Sequence, residues 1–254
     1  MISLESLAKS GRARAPIITI YGVSGIGKTT LATSFPDPVV IDIEDGLGEI
    51  KVDSFGPDVI SSYDDVMSSL SVLATEEHKF KTIVVDSLDW LEPMIWTSVC
   101  KENGYKSIES PGYNKGYAEV LPYWREYMDA LSYLRGKGMT IIQIAHHKID
   151  KFNNPETDTY DRYVPKLRKE VVGPIIEHSD AVFFANYEVS TVSKSEGFNK
   201  NKVRAIGQGD RLLRCQERPS SVAKNRYGMP AELPMDWHAI AEHIEFFNVK
   251  KEAA

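Results

Sequence analysis

Apolar and polar positions along the chain follow two different periods. Short, nearly unbroken apolar runs occur at PIITIY (16–21), VVIDI (39–43), KTIVVD (81–86), MTIIQIA (139–145) and SDAVFFANYEV (179–189). They are rich in β-branched residues and bounded by Pro, Gly or polar residues, so they read as buried strands. From Lys28 the pattern turns helical and stops at the two prolines of FPDP. Residues 63–78 place Val66, Leu70 and Leu73 at helical spacing, and 87–103 is mostly helical, with Pro93 as an early kink or N-terminal turn. A further helix is expected over 118–138. Residues 104–117 form a Gly-, Tyr- and Ser-rich loop. The polar stretch 146–165 reads as a long mobile loop, a kind that is usually functional inside compact domains. Short strand-like pieces follow the fifth strand, then a closing helix over 236–247. Strands alternate with helices over the first 186 residues, which predicts an α/β fold: a mostly parallel sheet with helices on both faces.

Composition narrows this picture. With 254 residues and 42% hydrophobic content, the chain can bury a sizeable core as a single domain over 1–254. Within it, 1–15 form a short arm, 187–235 a β-rich basic extension with a hairpin region, and 236–247 the closing helix. A net charge of −6 excludes a uniformly basic nucleic-acid binder but leaves room for a local basic face. Cys100 and Cys215 show no metal-ligand spacing and read as incidental thiols of a reducing compartment. The first sixteen residues are polar, with no leader-like apolar core, and no run approaches the length of a membrane span. The expected location is the cytoplasm, with no membrane partner.

The chemistry starts at Gly22-Val23-Ser24-Gly25-Ile26-Gly27-Lys28-Thr29, followed by Thr30. It lies between a strand and a helix and fits G-x-x-x-x-G-K-[ST]. Glycines let successive N–H groups turn inward onto an anion. The lysine ammonium then reaches the β- and γ-phosphates, and the Thr29 hydroxyl ligates Mg²⁺. The alternative is a plain glycine turn. A phosphate loop calls for an Asp at the end of an apolar strand, adjacent in the sheet, to hold the Mg²⁺ shell. Asp86 of TIVVDS meets that description, the alternative being a cap for the helix that follows. Glu44 ends the second strand, where a carboxylate can deprotonate an attacking water. Asp45 is the alternative base, and Asp42, alternating with Ile41 and Ile43, reads as structural.

Four segments, IYGVSGIGKTTLA (20–32), VVIDIEDGLG (39–48), TIVVDSLDWLEP (82–93) and SVAKNRYGMP (221–230), resemble in order the RecA-like recombinase core. More narrowly, IIQIAHHK with its polar sequel and the ending AKNRYGMPAELPMDW resemble short phage ATPases of the Sak type, proposed as single-strand annealing or recombination proteins. The resemblance implies a RecA-like P-loop NTPase core that uses ATP and Mg²⁺. It gives Glu44 the water-activating role and His146 that of γ-phosphate sensor, with His147 and Gln143 as alternatives. Lys224 and Arg226 become a basic pair that touches a neighbouring subunit's ATP. The resemblance also puts two DNA-binding loops at 104–117 and 146–169. The first offers Lys106, Tyr113 and Lys115 beside Tyr105 and Tyr117. The second offers Lys148, Lys151, Arg162, Lys166, Arg168 and Lys169. Residues 194–226 carry nine Lys or Arg against three acids, a solvated hairpin face or a guide for DNA or an acidic partner.

The function so implied is DNA-stimulated ATP hydrolysis by a protein that binds single-stranded DNA and assembles with itself as a ring or filament. Its setting would be the bacterial host cytoplasm if it is phage-encoded, with a single-stranded-DNA-binding protein as a further candidate partner. The competing readings are a helicase-like or loader-type motor, a nucleotide-switched binding module with little hydrolysis, and a small-molecule kinase, whose acceptor pocket and lid arginines are not recognisable.

Overall fold

The strand that leads into the glycine stretch, β1 (Ile17–Gly22), is buried along its whole length. A computed structural model describes residues 13–188, 190–195, 201–206 and 209–248. After β1 come α1 (Lys28–Thr33), β2 (Pro38–Asp42), β3 (Asp53–Phe55), α2 (Tyr63–Thr75), β4 (Thr82–Asp86) and α3 (Leu88–Asn103). Next are α4 (Lys115–Glu119), α5 (Leu121–Gly136), β5 (Thr140–Phe152), β6 (Tyr160–Pro165), α6 (Lys169–His178) and β7 (Ala181–Tyr187). The chain continues through β8 (Ser190–Ser195), β9 (Asn201–Ile206), β10 (Arg211–Arg214), β11 (Lys224–Asn225), β12 (Glu232–Pro234), α7 (Trp237–Ala241) and α8 (Glu245–Asn248).

Among the described residues the main sheet runs β12-β10-β7-β1-β5-β4-β2-β3, with β11 also on β7 and β6 on the extension of β5. The pairs from β7 through β1, β5, β4 and β2 to β3 are all parallel, whereas β6, β10, β11 and β12 join antiparallel. The central parallel strands β7, β1, β4 and β2 and the inner half of β5 are mostly apolar runs because helices cover both faces. Tyr21, Val85 and Ile141 face Leu91, Trp124, Leu131 and Ile175. Ile18, Ile20, Val84 and Ile142 face Leu31, Phe35 and Ile240. This is the mostly parallel, helix-flanked RecA-like P-loop architecture that the sequence suggests, with a separate β8–β9 hairpin in the C-terminal region.

Several local expectations change. Residues 146–165 are not one long loop. β5 runs on past the sheet to Phe152 and pairs with β6 from His147↔Pro165 to Phe152↔Tyr160, leaving only 153–159 as a loop. Its period-two pattern is hidden because this arm has no apolar face to mark it; side-chain stacking stabilises it instead, with Phe152 5.5 Å from Tyr160 and the Arg162 guanidinium 3.9 Å from the Phe152 ring. The helix expected over 118–138 is two, broken at Val120, because Pro122 occupies the first turn of α5 and cannot continue a preceding helix. The closing helix is likewise two short pieces. Trp237 and Phe247 meet at 5.2 Å, whereas a straight helix would hold residues ten apart about 15 Å from each other. The bend lets both rings pack on Phe35 of the α1 segment. The strand β3 carries too little apolar signal to be foreseen. Residues 1–12 of the N-terminal arm and Lys200 of the basic stretch lie outside the described residues. Among the described residues no helix is long and apolar enough to cross a membrane.

Candidate nucleotide site

Each glycine of the loop after β1 answers a separate steric demand. A Cβ on Gly22 would lie 2.1 Å from the Ala185 carbonyl oxygen of β7, so the close approach of these strands admits no side chain. Gly25 and Gly27 have φ of 73° and 98°, left-handed values that favour glycine. Gly27 is also crowded: its Cβ would come within 2.8 Å of Arg211 Nη1.

Lys28 opens α1 and is buried, only 7% exposed. Its ammonium donates to the carbonyl oxygens of Gly22 (3.3 Å) and Val23 (3.0 Å), bracing the loop from inside. Burial pulls its pKa down, while the carboxylates of Asp86, Glu44 and Asp89 act in the opposite direction. The strand that carries Asp86 is not adjacent to β1, as the sequence reading expects, because β5 lies between β1 and β4. The contact is made from above the sheet instead. α1 crosses β5 to reach β4, and Thr29 Oγ1 donates to Asp86 Oδ2 at 2.6 Å. These two hard oxygen donors suit Mg²⁺, which takes few protein ligands and completes its shell with phosphate and water. Burial, with the nearby Glu44 and Asp42, lifts the Asp86 carboxyl to about 6 despite the Thr29 hydrogen bond. A divalent cation would offset that desolvated charge.

A cavity of about 330 Å³ lies between Ser24, Lys28, Thr29 and Thr30 on one side and Glu44, Asp86 and His146 on the other. The three alternatives to Glu44 and His146 (Asp45, Gln143 and His147), and the structural Asp42 beside them, point elsewhere or stand outside. Asp42 is buried and accepts from the Gly46 N–H, holding the turn after β2, while Asp45 is exposed. Gln143 is wholly buried between Thr19 and the Tyr127 hydroxyl. His147 packs on Tyr163 and Phe184.

Beside Glu44 and His146 sit two residues that sequence reasoning missed. Ser87 Oγ lies 2.9 Å from Glu44 Oε2 and 3.1 Å from Asp89 Oδ1. The Asp89 side chain is 3% exposed and accepts from the His146 backbone N–H (2.9 Å), with His146 Nδ1 3.0 Å from its Oδ2. His146 Nε2 lies 3.6 Å from Glu44 Oε1, and Lys166 Nζ lies 3.5 Å from Asp89. Burial alone would raise the Asp89 carboxyl, but the His146 hydrogen bonds and charge overcome it and hold the group down to about 2. Reciprocally, the Asp89 hydrogen bond raises the pKa of His146 against the effects of burial and Lys28. In sequence Asp89 looks like any acid in the first turn of a helix, and nothing there marks its role.

The remaining sequence candidates divide. Lys224 and Arg226 flank the start of β7, beside Val182 and Asp180, whereas the phosphate loop leaves the sheet beside Ala185. At about 3.3 Å per residue, that is about 10 to 17 Å farther down the sheet. Lys224 donates to the Ile176 and Glu177 carbonyls and Arg226 pairs with Asp180, so neither enters the cavity of its own chain. Arg162 is paired with Glu217, Lys148 with Asp150 and Lys166 with Asp89. The Arg168 guanidinium lies 3.4 Å from the ring centroid of Tyr117, which is buried against Trp96. Tyr117 is therefore unavailable as a stacking surface, and Tyr105 is half-buried with its hydroxyl on Glu119. Tyr113 is the opposite case: 99% exposed, it follows Gly112 and precedes Asn114 in a run of three left-handed residues. Lys106, Lys115, Lys151 and Lys169 are exposed.

A model of the AAA_24 family, described as an AAA domain, matches residues 14–227. A curated relative, the SPbeta prophage-derived uncharacterized protein YorG of Bacillus subtilis (strain 168), is 30% identical over 172 residues, which cover 66% of this chain and 50% of that protein. The chain thus spans about half the length of this relative. Among solved structures, the flagellar accessory protein FlaH from Methanocaldococcus jannaschii matches with a TM-score of 0.42 and 10% identity, over 87% of this chain and 85% of that one.

Proposed function

We propose, on the premise that the chain belongs to the AAA_24 family of AAA domains, that it is a Mg²⁺-dependent ATPase that binds single-stranded DNA and promotes annealing or recombination. The observation that carries the ATPase reading is the convergence of Lys28 and Thr29 of α1, Glu44 just after β2, Asp86 of β4 and His146 of β5 on one cavity. ATP and its cation supply the phosphoanhydride and the charge that polarises it. Thr29 and Asp86 would hold the cation, and Lys28 would release its carbonyl contacts to meet phosphate oxygens. Glu44 accepts the proton of the attacking water. Protonated His146, fixed by Asp89, places a cation beside Glu44 where charge develops on the γ-phosphate.

The DNA reading is supported by the candidate loops meeting on one surface. Arg168, at the base of the β5–β6 hairpin, stacks on Tyr117 of α4, the helix into which the expected 104–117 loop turns at Lys115. Tyr113 presents a free aromatic face beside it in sequence, and exposed lysines lie on both segments. Aromatic stacking with lysine–phosphate contacts is the general mode for unpaired strands. Self-assembly, with Lys224 and Arg226 of one copy serving a neighbour's nucleotide, belongs to the same reading, as does the cytoplasm of a bacterial host, which the prophage relative supports. ATP hydrolysis measured with and without single-stranded DNA, beside annealing of complementary oligonucleotides, tests it. DNA-stimulated turnover with annealing is expected. Tyr113→Ala should weaken DNA binding while sparing basal hydrolysis. Turnover with no DNA binding would refute the DNA reading, and nucleotide binding with little turnover would leave a nucleotide-switched module instead.

A further inference from the structure

A second cavity, of about 430 Å³, opens on the other side of the phosphate loop. Gly27, Thr30 and Leu31 form its floor, the i, i+3, i+4 face of α1, and Gly27 and Thr30 line the first cavity as well. The opposite wall is Arg211 of β10 with Met235 and Asp236, the residues between β12 and α7. Arg211 pairs with Tyr187 at the end of β7, on the same sheet edge as the phosphate loop. Its Nη1 donates to the Ile26 carbonyl at 3.2 Å and lies over Gly27.

We infer that this cavity takes the nucleoside half of the nucleotide, and that Arg211 and Asp236 recognise it. The inference rests on the ATPase reading above and extends it. A triphosphate whose metal-bound end lies among Lys28, Thr29, Asp86 and Glu44 must leave the loop at its α-phosphate end. The backbone N–H groups of such a loop cradle the α- and β-phosphates, so that end emerges by Gly27 and Thr30, where the second cavity begins. The walls suit a planar base and a sugar. Leu31 is buried and Met235 packs on the same apolar cluster, giving apolar contact. A guanidinium is a weakly hydrated plane that stacks on aromatic rings, and Arg211 is anchored in the cavity wall by one N–H. Asp236 uses Oδ1 to cap α7 through the Ala239 N–H at 3.1 Å, leaving its second oxygen to accept from ribose hydroxyls. The sequence offers Arg211 only as one cation of a basic stretch; the fold takes it out of that stretch and sets it against the phosphate loop.

The test compares Mg²⁺·ATP with Mg²⁺·tripolyphosphate, which has the phosphates and no nucleoside, by calorimetry on the full chain. Wild type should bind ATP more tightly. Arg211→Ala and Arg211→Lys should each weaken ATP about tenfold, between the scales of an exposed and a desolvated cation–π contact, since Arg211 is exposed until a base covers it, and change tripolyphosphate less than about twofold. The tripolyphosphate titration also reports whether the cradle has kept its shape in each variant. Equal losses for both ligands would make Arg211 a phosphate contact and overturn the inference. So would unchanged ATP affinity in both variants, or wild type binding both ligands alike. If wild type binds neither ligand, the phosphate-loop reading itself fails and this inference falls with it.

Discussion

Asp89→Asn removes one negative charge and leaves the side chain's shape and its acceptor for the His146 N–H. The charge lost stands 3.0 Å, oxygen to nitrogen, from His146 Nδ1. With the charge centres about 4 Å apart, the pair is worth about 4 kcal/mol at an effective dielectric of about 20. The imidazole is 21% exposed, and Lys166 already offsets part of the same carboxylate, so about a third of that survives. One pKa step corresponds to about 1.4 kcal/mol, which makes the expected displacement about one pH unit. The sign follows from the raised pKa of His146. Its cationic form is present below that pKa and is lost as pH rises through it, so hydrolysis should fall on the alkaline side. Removing Asp89 lowers the pKa, because burial and Lys28 then act against Glu44 alone among the groups facing the ring. The alkaline limb of the ATPase pH profile should therefore move down by about one unit in Asp89→Asn and disappear in His146→Ala. An NMR titration of the His146 ring should move by the same amount. A limb that stays in place while the variant remains folded would refute the role given to Asp89, and a ring titration that stays in place would refute the electrostatics.

Glu44→Gln should keep Mg²⁺·ATP bound and slow hydrolysis by about 10²- to 10⁴-fold, the usual share of a general base; single-turnover assays check this, and Asp45→Asn should remain active. Lys28→Ala should abolish tight ATP binding in calorimetry, and because Lys28 is buried and braces Gly22 and Val23, it should also lower the melting temperature. Gly22→Ala should destabilise the fold by about 1–3 kcal/mol, the range for overpacking, since its Cβ would collide with the Ala185 carbonyl; chemical denaturation measures it. The Asp89 carboxyl, held down to about 2 from an ordinary 3.8, stabilises the fold above its unfolded pKa. About 2 kcal/mol of that should be lost as pH falls from about 4 through about 2, and Asp89→Asn should flatten this part of the acid-unfolding curve.

The parallel core was legible because each central strand is covered on both faces and so appears as an unbroken apolar run. The phosphate loop was legible because its glycines meet steric demands that no other residue satisfies. What escaped notice was structure fixed by partners distant in sequence. The outer half of β5 looks like loop because it projects beyond the sheet and pairs only with β6. Asp89 gains its meaning from His146, 57 positions away, and Arg211 from Ile26, 185 positions away. The break at Val120 was visible in Pro122, but the helical pattern runs on either side of it.

β5 is one uninterrupted strand from Thr140, where it enters the sheet between β1 and β4, to Phe152 near the hairpin tip. Its inner half is clamped between β1 and β4. His146 stands where the clamp ends, and the Lys166 N–H closes the hairpin base onto the His146 carbonyl. Strand β5 therefore joins the hairpin to the imidazole beside Glu44 through continuous backbone, with no loop between them. Thermodynamic reciprocity then binds the two ends: if a ligand at the tip alters the affinity for nucleotide, nucleotide must alter the affinity for that ligand by the same factor.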